Sequence, residues 1–131
     1  IIIDSANPSY KVEGNLILTK DGKKLITYVN ATQSVVVPEG VEILSSLAFE
    51  SLRIAQEIIL SSTLKEIESS AFIYCSSLTE IQIPNSIERI GENAFLNCSN
   101  LQSIKIDKEA GSIEGAPWGA TKGDRVVQWL R

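Results

Sequence analysis

The sequence predicts an α/β repeat: a solenoid of short parallel strands and short helical turns, carrying one inserted β-hairpin. Three observations predict it. An Ala-Phe pair recurs every 23 residues, at Ala48-Phe49, Ala71-Phe72 and Ala94-Phe95. Pro38, Ser61 and Pro84 keep the same interval, and so do Cys75 and Cys98. The apolar positions move with them. Val41 and Leu44 match Leu64 and Ile67, then Ile87 and Ile90; Ala55, Ile58 and Leu60 match Leu78, Ile81 and Ile83, then Leu101, Ile104 and Ile106. One such unit cannot bury its apolar side alone, whereas stacked copies bury a continuous core between them.

The chain then divides as one domain over 1–131. Residues 1–4, Ile-Ile-Ile-Asp, align on Ile104-Lys105-Ile106-Asp107 and read as the closing strand of a preceding unit. In 5–37, Leu16-Ile17-Leu18 and Leu25-Ile26-Thr27-Tyr28 flank Lys20-Asp21-Gly22-Lys23. Asp-Gly between apolar runs is a strong hairpin signal. Units follow at 38–60, 61–83 and 84–106; the last two align without a gap, and the first has Leu52 where they have Cys. Each unit ends in an alternating stretch such as Thr79-Glu80-Ile81-Gln82-Ile83, a short strand with the isoleucines inward. Its middle, such as Glu92-Asn93-Ala94-Phe95-Leu96-Asn97, reads as one or two helical turns with Phe95 inside. Equivalent strands are expected side by side as a parallel sheet. After Asp107 the period fails on this reading, and 107–131 becomes a terminal cap. The cap has an irregular Gly-rich stretch, a last strand at Val126–Leu130, and Pro117-Trp118-Gly119 with Trp129 as lids over the final layer.

Composition excludes several functions. The net charge is −4 and Lys23-Lys24 is the only adjacent basic pair, so the basic stripe that phosphate binding needs is missing and nucleic acid is not expected as a partner. No apolar run approaches the roughly 18 residues of a spanning helix. The sequence starts at Ile1 and contains no Met, so a processed chain or an excised piece is expected and targeting signals stay open. There is no histidine. That removes Ser-His-Asp and Cys-His catalysis and the usual zinc ligand.

Two residue sets invite chemistry. Cys75 and Cys98 stand one period apart, near enough for a disulfide in principle. Buried free Cys behaves as a small hydrophobe, and a stacked pair of buried thiols is the preferred reading. Two thiols alone cannot complete a tetrahedral metal shell, and a catalytic thiol would lack its base. No cofactor is expected. Carboxylates are numerous, and an acid pair for glycoside hydrolysis is conceivable. However, Glu57 and Glu80 recur at the repeat interval on the outward side of a sheet, where a solvated face is the simpler account. The outward positions form columns: Glu57, Glu80, Ser103 and Ile59, Gln82, Lys105, with Ile2 a further member of the second. These six make the candidate protein-binding face, because solenoids recognise partners through such extended surfaces.

The segment IPNSIERIGENAFLNCSNLQSIKI resembles the BspA-like leucine-rich repeat, with its Pro, its apolar pair and its IG..AF..C..L..I.I pattern. The resemblance covers 38–106, weakest over 38–60. The preceding NP.Y....G.L..KDGK.L..Y stretch is similar to an insertion found between repeats of that family. The resemblance implies a leucine-rich-repeat solenoid and a bacterial, cell-surface or secreted protein. It implies a non-catalytic adhesion or protein-binding module whose partner is a host matrix or surface protein. The rival readings are a structural spacer within a larger surface protein and, less favoured, a hydrolase.

Overall fold

The computed structural model describes residues 3–131. Among the described residues there are eleven strands. The hairpin region supplies β1 (Tyr10–Glu13), β2 (Leu16–Thr19), β3 (Lys24–Tyr28) and β4 (Ser34–Val36). The repeats supply β5 (Ile43–Leu44), β6 (Glu57–Ile59), β7 (Glu66–Ile67), β8 (Glu80–Ile83), β9 (Arg89–Ile90) and β10 (Ser103–Ile106). The last is β11 (Val127–Trp129). Each repeat thus visits two sheets per coil. One sheet runs β1-β2-β3-β5-β7-β9, antiparallel through the hairpin and parallel from β3 onward. The other face of the coil is built by β4-β6 and by β8-β10-β11, all parallel. The molecule is a parallel β-solenoid of about five turns.

The expected hairpin turn is present: β2 pairs antiparallel with β3, and the Gly22 amide donates to the Thr19 carbonyl across the Asp21-Gly22 turn. Gly22 takes a positive φ of 76°, which glycine adopts at little cost.

The expected helical turns are not formed. Among the described residues the one helical segment is a single 3-10 turn, Gly123–Val126. The middle of each unit is instead a run of tight turns. Two left-handed positions recur at the repeat interval: Leu47, Ser70 and Asn93, and Ser51, Tyr74 and Asn97, with φ between 57° and 64°. A right-handed helix cannot pass through such residues. The main chain is also committed elsewhere. Phe49 and Phe72 donate their amides to the Ala71 and Ala94 carbonyls of the next coil, and Ser51 and Tyr74 donate to Ile73 and Leu96. A helix would have directed these amides to carbonyls within its own turn.

The coil also continues past Asp107, against the expected loss of period. Strand β11 pairs in register with β10, Val127 on Ile104 and Trp129 on Ile106, which is again a step of 23. Ile113 and Trp118 occupy the places of Ile90 and Phe95 by the same step, and both are buried. At the other end, Ile3 and Asp4 belong to no strand, and Ile1 and Ile2, which complete the expected closing strand, lie outside the described residues.

The core follows from the repeat. Ala48, Ala71 and Ala94, and Phe49, Phe72 and Phe95, are fully buried. The aromatic rings form a column through the whole stack. Tyr28 stacks on Phe49 at 6.4 Å, Phe49 on Phe72 at 5.5 Å, and Phe72 on Phe95 at 5.2 Å. Trp118 meets Phe95 edge-on at 6.5 Å, and Trp129 meets Trp118 at 6.3 Å. Such pairs contribute about 0.5–1.5 kcal/mol each beyond area burial. Two polar groups of the column find partners. The Tyr28 hydroxyl donates to the Glu50 carbonyl at 2.8 Å, and the Trp118 indole N–H to the Glu114 carbonyl at 2.7 Å.

Candidate protein-binding face

The parallel register decides which side chains share a face. Ser34, Glu57, Glu80 and Ser103 stand in one row across β4, β6, β8 and β10. Val36, Ile59, Gln82, Lys105 and Gln128 stand in the next. The alternate residues Val35, Ile58, Ile81 and Ile104 are buried in the core, so the two rows lie on the outer side of the sheet. All six sequence-selected residues, Glu57, Ile59, Glu80, Gln82, Ser103 and Lys105, occupy this one face. They are not equally accessible. Ile59 is 47% exposed, whereas Ser103 is only 8% exposed and adds little surface. Ile2 lies outside the described residues. The sequence reading missed Ser34 and Val36, which extend both rows. The signal was available, since each lies 23 residues before Glu57 or Ile59. Val36 is 61% exposed and pairs with Ile59, making an apolar patch at one end of the face.

Polar contacts tie the rows together. Ser34 donates its hydroxyl to Glu57 Oε1 at 3.0 Å. Lys105 Nζ lies 3.1 Å from Glu80 Oε1, and the Ser103 hydroxyl donates to the same oxygen at 3.5 Å. These groups are exposed, where an ion pair is worth roughly 0–1 kcal/mol. Their effect is to orient side chains, not to hold the fold.

The face is divided. Strand β6 is bonded to β4, and β8 to β10, but no ladder joins β6 to β8 among the described residues. The register of β8 on β10 uses the main-chain groups of its inward residues Ile81 and Ile83, which leaves those of Glu80 and Gln82 turned towards β6. A groove of ~830 Å³ opens at this division, with Val36, Glu57, Ile59, Glu80 and Gln82 in its walls and Pro38, Glu39 and Pro84 at one end.

The other candidate chemistries find little support. Cys75 and Cys98 are free and fully buried. Each thiol donates to a carbonyl of the preceding coil, Cys75 to Phe49 at 3.2 Å and Cys98 to Phe72 at 3.0 Å. The neighbouring Cys98 thiol, and then burial, push the Cys75 thiol well above its ordinary range. A buried thiol held protonated in this way is a weak nucleophile. Glycosidic acid chemistry wants one carboxyl shielded from water, and Glu57 and Glu80 are both exposed. No group of three metal-ligating side chains converges among the described residues, and no described helix is long and apolar enough to cross a membrane.

The stacked interior and the parallel coils define the class: a repeat solenoid with a mixed outer sheet face. Residues 22–119 match the family model described as a BspA type leucine rich repeat region (6 copies). The chain belongs to that family. Leucine-rich repeats of this kind are generally protein-interaction modules, typically without catalysis of their own. No curated protein matches the chain. Three solved structures share its fold. A leucine-rich repeat protein from Eubacterium ventriosum is 20% identical with a TM-score of 0.83, over 96% of this chain and 34% of its own. The pneumococcal vaccine antigen PcpA is 21% identical with a TM-score of 0.71, over 82% of this chain and 33% of its own. A leucine rich cell surface protein from Faecalibacterium prausnitzii is 21% identical with a TM-score of 0.63, over 79% and 34%. The chain therefore spans about a third of the length of these relatives.

Proposed function

We propose that the chain is a non-catalytic protein-binding module of a bacterial cell-surface or secreted protein, and that the face of Glu57, Ile59, Glu80, Gln82, Ser103 and Lys105 carries the contact. Host matrix or surface proteins are the partners this reading favours. The observation that carries it is the row Val36, Ile59, Gln82, Lys105. Two large aliphatic side chains stand exposed on short strands, fixed by a fully buried aromatic column beneath. They stand side by side on a regular sheet face, the kind of extended surface through which solenoids recognise partners. The vaccine antigen and the cell surface protein among the similar structures support the location.

The test is an array of host matrix and surface proteins probed with the full-length parent and with its Ile59→Glu variant. The reading expects at least one saturable interaction, weakened tenfold or more by the variant. Absence of any binding by the parent would favour the spacer reading. Hydrolysis of a polysaccharide or peptide panel, lost in Glu57→Gln or Glu80→Gln, would favour an enzyme.

A further inference from the structure

The groove between β6 and β8 has a chemistry more specific than the face around it. Three carboxylates, Glu39, Glu57 and Glu80, line it, and among the described residues no Lys or Arg does. The nearest cation on the face is Lys105, one strand away and already drawn to Glu80. Apolar contact is offered by Val36 and Ile59, both largely exposed. Amide side chains, Gln56 and Gln82, complete the walls. Along each wall the side chains repeat at a strand's two-residue step, acidic then apolar or amide: Glu57 then Ile59, and Glu80 then Gln82.

We propose that this groove receives an extended peptide segment of a partner protein in which cationic and aliphatic residues stand two apart, on one side of the extended chain. The inference rests on the protein-binding reading and narrows its partner. Residues two apart on an extended chain point to the same side, so a Lys or Arg meets Glu57 and Glu80 while the aliphatic residue two positions on meets Val36 and Ile59. The acidic walls give the contact its sign: an anionic segment would set its charges against three carboxylates, of which Lys105 offsets Glu80 alone.

The test uses two synthetic ten-residue peptides, one repeating Lys-Ser-Val-Ser and one repeating Glu-Ser-Val-Ser. Fluorescence anisotropy measures each against the full chain, against Glu57→Gln/Glu80→Gln, and against Glu92→Gln/Glu109→Gln. The last variant makes the same change of net charge at exposed positions outside the groove. The proposal expects the lysine peptide to bind and the glutamate peptide not to. It expects the groove variant to weaken binding about tenfold or more and the remote variant to leave it within twofold. Equal weakening by both variants would reduce the effect to net charge and overturn the proposal, as would tighter binding of the glutamate peptide. If neither peptide binds while the parent still captures a host protein in an Ile59-dependent way, the groove inference fails and the protein-binding face survives. If that capture is also absent, both fall.

Discussion

The two sheets of the coil are built from the same repeats and end differently. Strands β3, β5, β7 and β9 form an unbroken parallel run, although β5, β7 and β9 are only two residues long. Strands β6 and β8 are longer, three and four residues, yet the ladder between them is missing. Strand length therefore does not decide continuity. In the unbroken sheet each junction is locked by amides from the flanking turn, such as Lys65 and Glu66 to the Glu42 carbonyl, then Glu88 and Arg89 to the Lys65 carbonyl. Arg89 adds an ion pair to Glu66 at 2.7 Å across the same junction. At the split junction the two outward neighbours, Glu57 and Glu80, are like charges directly opposite in the repeat, an arrangement that disfavours pairing. Each carboxylate instead turns to a partner on its other side, Ser34 or Lys105. One sheet runs unbroken through the coils, and the other is interrupted between β6 and β8.

This contrast can be broken most strongly at what both sheets share. Phe72 sits at the centre of the aromatic column, fully buried. Phe72→Ala is expected to cost about 3–5 kcal/mol, measured by urea unfolding. A loss under about 1 kcal/mol would mean that the column does not hold the coils together.

A smaller effect is expected at the closed sheet alone. Gly91 follows β9 against the neighbouring coil, and a Cβ there would lie 2.4 Å from the Ser69 amide nitrogen. Backbone must shift to admit it, so Gly91→Ala should destabilise by roughly 1–3 kcal/mol, as overpacking does. Thermal unfolding of the variant measures this, and an unchanged midpoint would show that the coils have room there.

The smallest effect belongs to the open sheet. Ile59→Ser removes an exposed side chain and should stay within about 0.5 kcal/mol of the parent. If Ile59→Ser unfolds as readily as Gly91→Ala, Ile59 serves the fold and is not free to serve a partner.

Much of the architecture was legible because the repeat is a physical requirement written into residue type. Buried Ala-Phe pairs, inward isoleucines and the Asp21-Gly22 turn announce themselves by spacing. The turns between strands were misread as helix because composition does not show backbone handedness: Leu47 and Tyr74 are ordinary helix-compatible residues, held left-handed here by amides that reach the next coil. The final coil was missed because its apolar places are filled by other types. Trp118 replaces a phenylalanine and Gly115, Gly119 and Gly123 surround it, so the local text reads as loop while the interval of 23 persists. The face itself followed from alternation along the strands. Its division did not, since a missing ladder depends on how two carboxylates choose partners across four strands.

The division is also the point at which the account is most exposed. Residue-resolved amide hydrogen exchange on the free chain compares Glu80 and Gln82, whose main-chain amides face the split, with Ile81 and Ile83, whose amides face β10. The account predicts exchange at least about tenfold faster for the first pair, as expected of amides outside a ladder. Equal protection of all four would mean that β6 and β8 are joined in solution, and the open face described here would not exist.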